Sequence, residues 1–281
     1  MKNQWVRAGL FLLFLFVASR LVPAGSIDPW GLFRPQKILF MFFALSALQV
    51  MGSVFSRIIG HRAGVLMTGF LGGLLSSTAT TVSLSKDSHE TEGSQSVRMA
   101  AMHAAILAML LQAVVLVGAG SLEALQVVRL HFLILFAITA VMIVILWRRQ
   151  SRPRAIARGP EKILDVTESL KLTIFIVLIL AASRGAQQWL GTEGLMALTF
   201  VVSLFEVHGA LISTAQLLAA DKVGLEQYEK LVELSLLASF VSKFFLIAVI
   251  SSAQFKKRAL WSLLPAVLFL VIHLFGWIHL R

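Results

Sequence analysis

The chain has 281 residues; 58% are hydrophobic, only 14% are charged, and the formal net charge is +11. Soluble domains average roughly 45–50% and 25% by those two measures, so this chain cannot cover itself with polar groups and its solvent is largely lipid. The absence of cysteine excludes disulfides, thiolate metal sites and cysteine nucleophiles. The basic residues sit in short loops between apolar runs, a pattern that meets anionic headgroups rather than nucleic acid.

Nine apolar stretches follow in chain order, at 9–22, 38–59, 63–84, 99–119, 130–147, 170–187, 194–220, 231–253 and 259–280. Most approach the roughly 20 residues that a helix needs to cross the hydrocarbon core. Backbone amides in lipid must be satisfied inside their own segment, so helices are expected, and no period-two alternation suggests a barrel. The fold class expected is therefore all-α, a polytopic integral membrane helical bundle of about nine apolar segments. The first stretch follows Lys2 and Arg7 but ends in Ser-Arg-Leu-Val-Pro without a small-x-small cleavage site, so it reads as a membrane segment. Two loops stand out: 86–98, of mixed charge, and 148–162, which carries six positive charges. The second reads as a basic linker, 148–165, inside a single membrane domain, 1–281. It would join a first repeat, 36–147, to a second, 166–281.

That repeat rests on one fixed offset. Residues 64–86 lie on 194–216 without a gap, and the pairs Gly64/Gly194, Phe70/Phe200, Leu74/Leu204 and Ser83/Ser213 are identical. Weak internal symmetry of this kind recurs in transporters, with the site where the repeats meet. Two topologies follow. With nine crossings, Lys and Arg divide 15 to 9, and the repeats run parallel. If 63–84 and 194–220 are instead re-entrant, the division is 16 to 8, the repeats are inverted, and seven segments span. In the second topology the 148–162 and 256–258 clusters share one side; in the first they do not. Loop charge alone does not choose between them.

Among the carboxylates, Glu206 reads as the one well inside an apolar stretch, and Lys243 sits near the middle of another. An ionised group at such depth costs roughly 2.5–3.5 kcal/mol on insertion scales, so each needs a partner or a wet cavity. An ion pair between them is expected. His208 and Ser213 lie close to Glu206 in sequence, while Ser239 and Ser242 adjoin Lys243. In the first repeat Ser76, Ser77, Thr78, Thr80 and Thr81 crowd together after Gly72 and Gly73. Small residues there allow close helix approach or a local break, and the hydroxyls could satisfy freed amides or a ligand. Close packing alone is the competing explanation.

His103 reads as a satisfied buried histidine. His131, His273 and His279 fall near segment ends or alone, without metal-ligand spacing, so neither a metal nor a cofactor is expected. Tyr228 and the terminal tryptophans read as interface anchors. No phosphate-cradling loop or nucleophile elbow occurs, and the chain does not read as an enzyme.

The runs Trp30-Gly-Leu-Phe-Arg-Pro, His61-Arg-Ala-Gly and Thr68-Gly-Phe-Leu-Gly-Gly-Leu-Leu-Ser-Ser-Thr-Ala-Thr-Thr resemble the uncharacterised C-terminal domain of MgtC/SapB-family bacterial membrane proteins. The resemblance runs from about Leu10 to Ile250 and is most specific from Gly72 to Ala79. It implies a multi-pass protein of the bacterial cytoplasmic (inner) membrane, without the N-terminal helical domain usual in that family. It also implies functional roles for Glu206-Val-His208 with Ser213, and for Ser239-Phe-Val-Ser242-Lys243. These stand where relatives tend to show Asp-x-His-Ala and Asn-x-x-Ser-Lys, and Gln112 stands where a basic residue is often expected. A dedicated divalent-cation cage is disfavoured, because one deep carboxylate beside a lysine supplies too little negative charge.

The function expected is a secondary transporter or channel for a small ion or polar solute. Its pathway would be lined by Ser76, Ser77, Thr78, Thr80, Glu206, His208, Ser213, Ser239, Ser242 and Lys243. The alternative is a non-transporting membrane regulator or assembly partner, acting through a homo-oligomer or another membrane protein. Partners are thus the lipid bilayer and a small solute, with no nucleic acid.

Overall fold

A computed structural model describes residues 2–25, 65–89, 95–149 and 191–276, with isolated positions between 35 and 51 and at 174 and 178. Among these residues the chain is helical and forms no strand. The delimited helices are α1 (Lys2–Leu21), α2 (Val65–Asp87), α3 (Gln95–Gly120), α4 (Leu122–Arg148), α5 (Gly191–Phe205), α6 (Val207–Ala219), α7 (Leu225–Ile250) and α8 (Ala253–Leu274). By length and composition, α2, α3, α4, α7 and α8 could each cross a membrane. The chain is a helical membrane protein. The segment 170–187 apart from positions 174 and 178, the linker beyond Arg149, Trp30 to Arg34, His61 to Gly64 and His279 lie outside the described residues.

Burial separates the helices by role. Of the most apolar window in α3, 78% is buried, against 28% in α4. The α3 helix is rich in buried Ala and Met, whereas α4 turns Leu133, Val141 and Val144 outward, as a lipid-facing helix does. Ser121 starts α4 by accepting the Ala124 N–H at 3.2 Å, with Glu123 in the first turn where the helix dipole favours an acid.

The chain divides into two compact units. The first comprises Met1–Val50, Gln112–Arg129 and Lys162–Ser239; the second comprises Met51–Leu111, Leu130–Glu161 and Phe240–Arg281.

In the second unit α2 does not run straight. A Cβ added to Gly69 or Gly73 would collide with the backbone of Ala101 or Ala105, so the first arm of α2 lies tightly on α3 and parallel to it. At Ser76 the backbone becomes extended (φ −164°, ψ 108°). Beyond that break the chain turns back, because a Cβ on Gly72 would lie 2.7 Å from Thr80 Oγ1. Eight residues of straight helix would hold those positions about 12 Å apart. The second arm returns to the start of α3, where Gln95 Nε2 donates to the Ser88 carbonyl at 3.2 Å. Leu71 and Leu74 pack with Ala108, about 20 Å along α3 from Gln95, so the hairpin tip lies near the midpoint of that helix.

The same end of this unit collects other termini. His89 Nε2 lies 2.9 Å from the Ile250 carbonyl, and the Ser252 N–H donates to Ser88 Oγ at 2.9 Å. Ser96, Arg149, Gln254, Lys257 and Arg258 line one cleft. The start of the 148–162 cluster and the 256–258 cluster therefore face one side. Nine full crossings would separate them.

The first unit holds a second break. Glu206 is extended (φ −147°, ψ 92°) between α5 and α6. After α6 the Asp221 N–H bonds the Leu218 carbonyl and the Lys222 N–H bonds that of Leu217, with Asp221 left-handed at φ 53°, a Schellman-type stop. The short turn leads into α7, where Gln227 Nε2 donates to Thr192 Oγ1 at 3.4 Å, near the start of α5. Both ends of the α5–α6 pair thus lie at the beginning of α7. This pair is also a hairpin.

Three expectations change. The 256–258 cluster belongs to the first turns of α8 rather than to a loop, because that helix begins at Ala253. Tyr228 is fully buried rather than at an interface, since the preceding polar turn starts α7 before the apolar run begins. Glu206 is not the only deep carboxylate: Glu233, one turn after Glu229 on α7, is 1% exposed.

Candidate functional site

The two hairpin tips gather most of the polar side chains expected to matter, each within its own unit. In the second unit, the Ser76 hydroxyl accepts the Ala79 N–H at 3.2 Å and so caps the returning arm of α2. Ser77 is buried, with its carbonyl accepting from Thr81 Oγ1 at 2.8 Å, a back-bond that satisfies that hydroxyl locally. Thr78 and Thr80 are half-buried, Thr80 against Gly72. Here the glycines have a definite purpose: side chains at 69 and 73 would lift the hairpin off α3.

Lys243 belongs to the same unit and is 1% exposed. From its place on α7 a lysine could extend toward the nearby helix end and reach water. Its ammonium instead donates to Met109 Sδ at 3.3 Å, about 21 Å along α3 from Gln95. The amine is therefore held at the depth of the Ser76 tip. Ser242, beside it in sequence, is half-buried.

In the first unit, Glu206 Oε1 accepts the His208 N–H at 3.0 Å and lies 3.1 Å from His208 Nδ1. One carboxylate therefore caps α6 and holds an imidazole, and the two side chains are only 23% and 14% exposed. Such a pair can share or pass a proton over a single hydrogen bond. Ser213 is buried farther along α6, and Ser239 is buried on α7. Ser235 donates to the Leu231 carbonyl at 2.8 Å and has a local role.

Glu206 and Lys243, expected to pair with one another, belong to different units, and each is engaged within its own. His103 is a satisfied buried histidine. The Ser262 hydroxyl donates to the Ala259 carbonyl at 2.7 Å, leaving Ser262 Oγ to accept from His103 Nε2 at 2.9 Å.

Side chains of metal-ligating type occur in both units. In the second, His131 and His273 are buried edge to face, with ring centroids 4.4 Å apart and 3.3 Å between His131 Nε2 and His273 Nδ1. In the first, Glu229 and Glu233 stand one turn apart on α7. Sequence spacing hides the histidine pair, whose members come from α4 and α8. The i, i+4 spacing of Glu229 and Glu233 was the available sign of a shared face.

The chain belongs to a family defined by a domain of unknown function, DUF4010, whose profile matches residues 44–251. That span takes in both hairpins, α3, α4 and nearly all the polar residues just described. No curated protein and no solved structure matches the chain.

Proposed function

We propose that this protein is a secondary transporter or channel for a small ion or polar solute, with the polar groups of its pathway carried toward mid-membrane by two repeated hairpins. One observation carries the reading. Helix breaks occur at Ser76 and Glu206, 130 positions apart, the offset at which 64–86 lies on 194–216. At both, the backbone is extended and the side chain at the break caps the returning arm. The packing face recurs as well: Gly69 and Gly73 correspond to Thr199 and Ser203, small and buried at the same spacing.

A broken helix exposes the first amides of its second half and the positive end of its dipole, which suit an anion or a polar oxygen. The Ser76 tip with inward-held Lys243 favours an anionic or neutral polar solute over a bare cation. Glu206 with His208 supplies a protonatable pair for coupling. In this reading both hairpins are re-entrant, the repeats are inverted, and Lys and Arg divide 16 to 8. The side carrying Arg149 and Lys257 is then the cytoplasmic one of a bacterial inner membrane. Kinship with MgtC/SapB proteins through Gly72 to Ala79 belongs to the same proposal.

The test is flux in proteoliposomes loaded with a pH-sensitive dye, under outward gradients of chloride, sulfate, phosphate or a small neutral amide. Wild-type protein is expected to carry at least one of these, with Lys243→Met and Glu206→Gln each reducing the rate at least tenfold. Wild-type flux that survives both substitutions contradicts the proposal. The non-transporting alternative draws on the glycine packing of α2, which by itself explains the small residues. It predicts that the double variant keeps its cellular phenotype and co-purifies with a specific membrane partner.

A further inference from the structure

A cleft of about 1040 Å³ opens in the second unit where α4 ends and α8 begins. It is distinct from the hairpin tips, and its walls are graded. On α4 and the residue just after it, the lining residues Met142, Ile145, Leu146 and Arg149 recur at i, i+3, i+4 and i+7, one face that is apolar until its last member. On α8 the lining face is Gln254, Lys257, Arg258 and Trp261, the same spacing run in the opposite sense. The cations of both helices therefore meet at one end of the cleft, and Trp261 faces Met142 at the other. Seven residues of helix put about 10 Å between the charged and apolar ends.

Among the described residues, three cations line the cleft and no carboxylate does. Ser96 and Gln254 add hydrogen-bonding groups at the charged end. There α8 also begins, after a Ser252 whose side chain makes no capping bond, so the positive end of the helix dipole lies at the charged end of the cleft, where Ala253 and Gln254 line it. Trp261 is 66% exposed although it lies well inside an apolar helix. The volume is at the upper end of those of small-molecule pockets, which is more than a free oxyanion needs.

We propose that this cleft binds an anionic phospholipid. Its phosphate sits among Arg149, Lys257 and Arg258, and the first part of an acyl chain lies along Met142, Ile145 and Trp261. Charge without an apolar wall would suit free phosphate, and an apolar wall without charge would suit any lipid. The gradient selects a molecule that has both. Basic pockets between membrane helices on the cytoplasmic side are suited to such headgroups.

The experiment uses the full chain, purified and delipidated in detergent. It is titrated with phosphatidylglycerol, phosphatidylcholine or inorganic phosphate, read by thermal unfolding and by tryptophan quenching with brominated acyl chains. Phosphatidylglycerol is expected to raise Tm and its brominated form to quench, with the quenching much reduced in Trp261→Phe. Removing cations as Lys257→Gln, then Lys257→Gln with Arg258→Gln, should weaken phosphatidylglycerol about fivefold per charge, equivalent to about 1 kcal/mol each. Lys256→Gln, outside the lining, should leave binding unchanged. Equal effects of phosphatidylcholine overturn the proposal, as do equal effects of inorganic phosphate, which mark a free-anion site. Unaltered affinity in the double variant overturns it too. Should that variant not fold, the wild-type lipid comparison and the Trp261→Phe quenching decide alone.

Discussion

The hairpin at Ser76 and the hairpin at Glu206 solve one mechanical problem with different chemistry. Each reverses a helix by leaving a single residue extended, and each covers the newly exposed amides with that residue's own side chain. At Ser76 the cap is a neutral hydroxyl, and the arm is held by two glycines against α3. At Glu206 the cap is a carboxylate that also holds His208, and the corresponding packing positions carry Thr199 and Ser203. The first hairpin is thus built for close approach, and the second for holding a charge. The proposed pathway, in which a solute moves with a proton, would draw on both properties.

The largest expected effect separates the two packing faces. Gly73→Ala places a methyl group into the backbone of Ala105, where nothing flexible can yield, and should cost at least about 3 kcal/mol or abolish monodisperse protein in detergent. The matching change in the other hairpin, Ser203→Ala, removes a buried hydroxyl that has no hydrogen-bond partner among the described residues. It should be neutral or raise stability by up to about 1 kcal/mol. Opposite signs in paired denaturation curves sharpen the comparison; equal losses would show that both arms are packed alike.

The caps should differ by less. Glu206→Ala removes the acceptor of the His208 N–H together with the ring contact and should cost about 2 kcal/mol, whereas Ser76→Ala should cost about 1 kcal/mol. Hydrogen exchange at the Ala79 and His208 amides reads each loss where it occurs. If the ranking is reversed, the carboxylate is held by something other than its capping role.

The smallest effect concerns the exit from the second hairpin. Asp221 occupies a left-handed position usually filled by glycine. Asp221→Gly should therefore raise stability by about 0.5 kcal/mol, seen as a small increase in Tm. A decrease would mean that the aspartate side chain contributes a bond that outweighs its backbone strain.

Much of the architecture was readable from composition and pattern. Apolar runs of helix length, with basic loops between them, predict α3, α4, α7 and α8 because lipid leaves the backbone few alternatives. The cluster after Gly72 and Gly73 also allows for a local break, whereas Glu206 reads as half of an ion pair and its place at a break comes only from the structure. The reversals themselves were not readable. A 23-residue apolar segment is equally compatible with crossing the membrane or turning back, and only contacts such as Gly72 with Thr80 distinguish them. Glu233 looks like a rim residue in the sequence because α7 begins six residues before its apolar run, and the fold carries that carboxylate into the interior. The meeting of His131 with His273 left no trace in sequence, as its members come from different helices.

The amino-acid order by itself determined that this chain lives in lipid, that it is helical, and which few polar side chains must be sheltered there. Those facts follow from the cost of exposing amides and charges to hydrocarbon, a cost that each residue incurs wherever its neighbours come from. Direction was left to the tertiary structure: which helices reverse, which way Lys243 reaches, and which loops gather at one end. These depend on how closely one backbone can approach another, and that is settled only when distant segments meet.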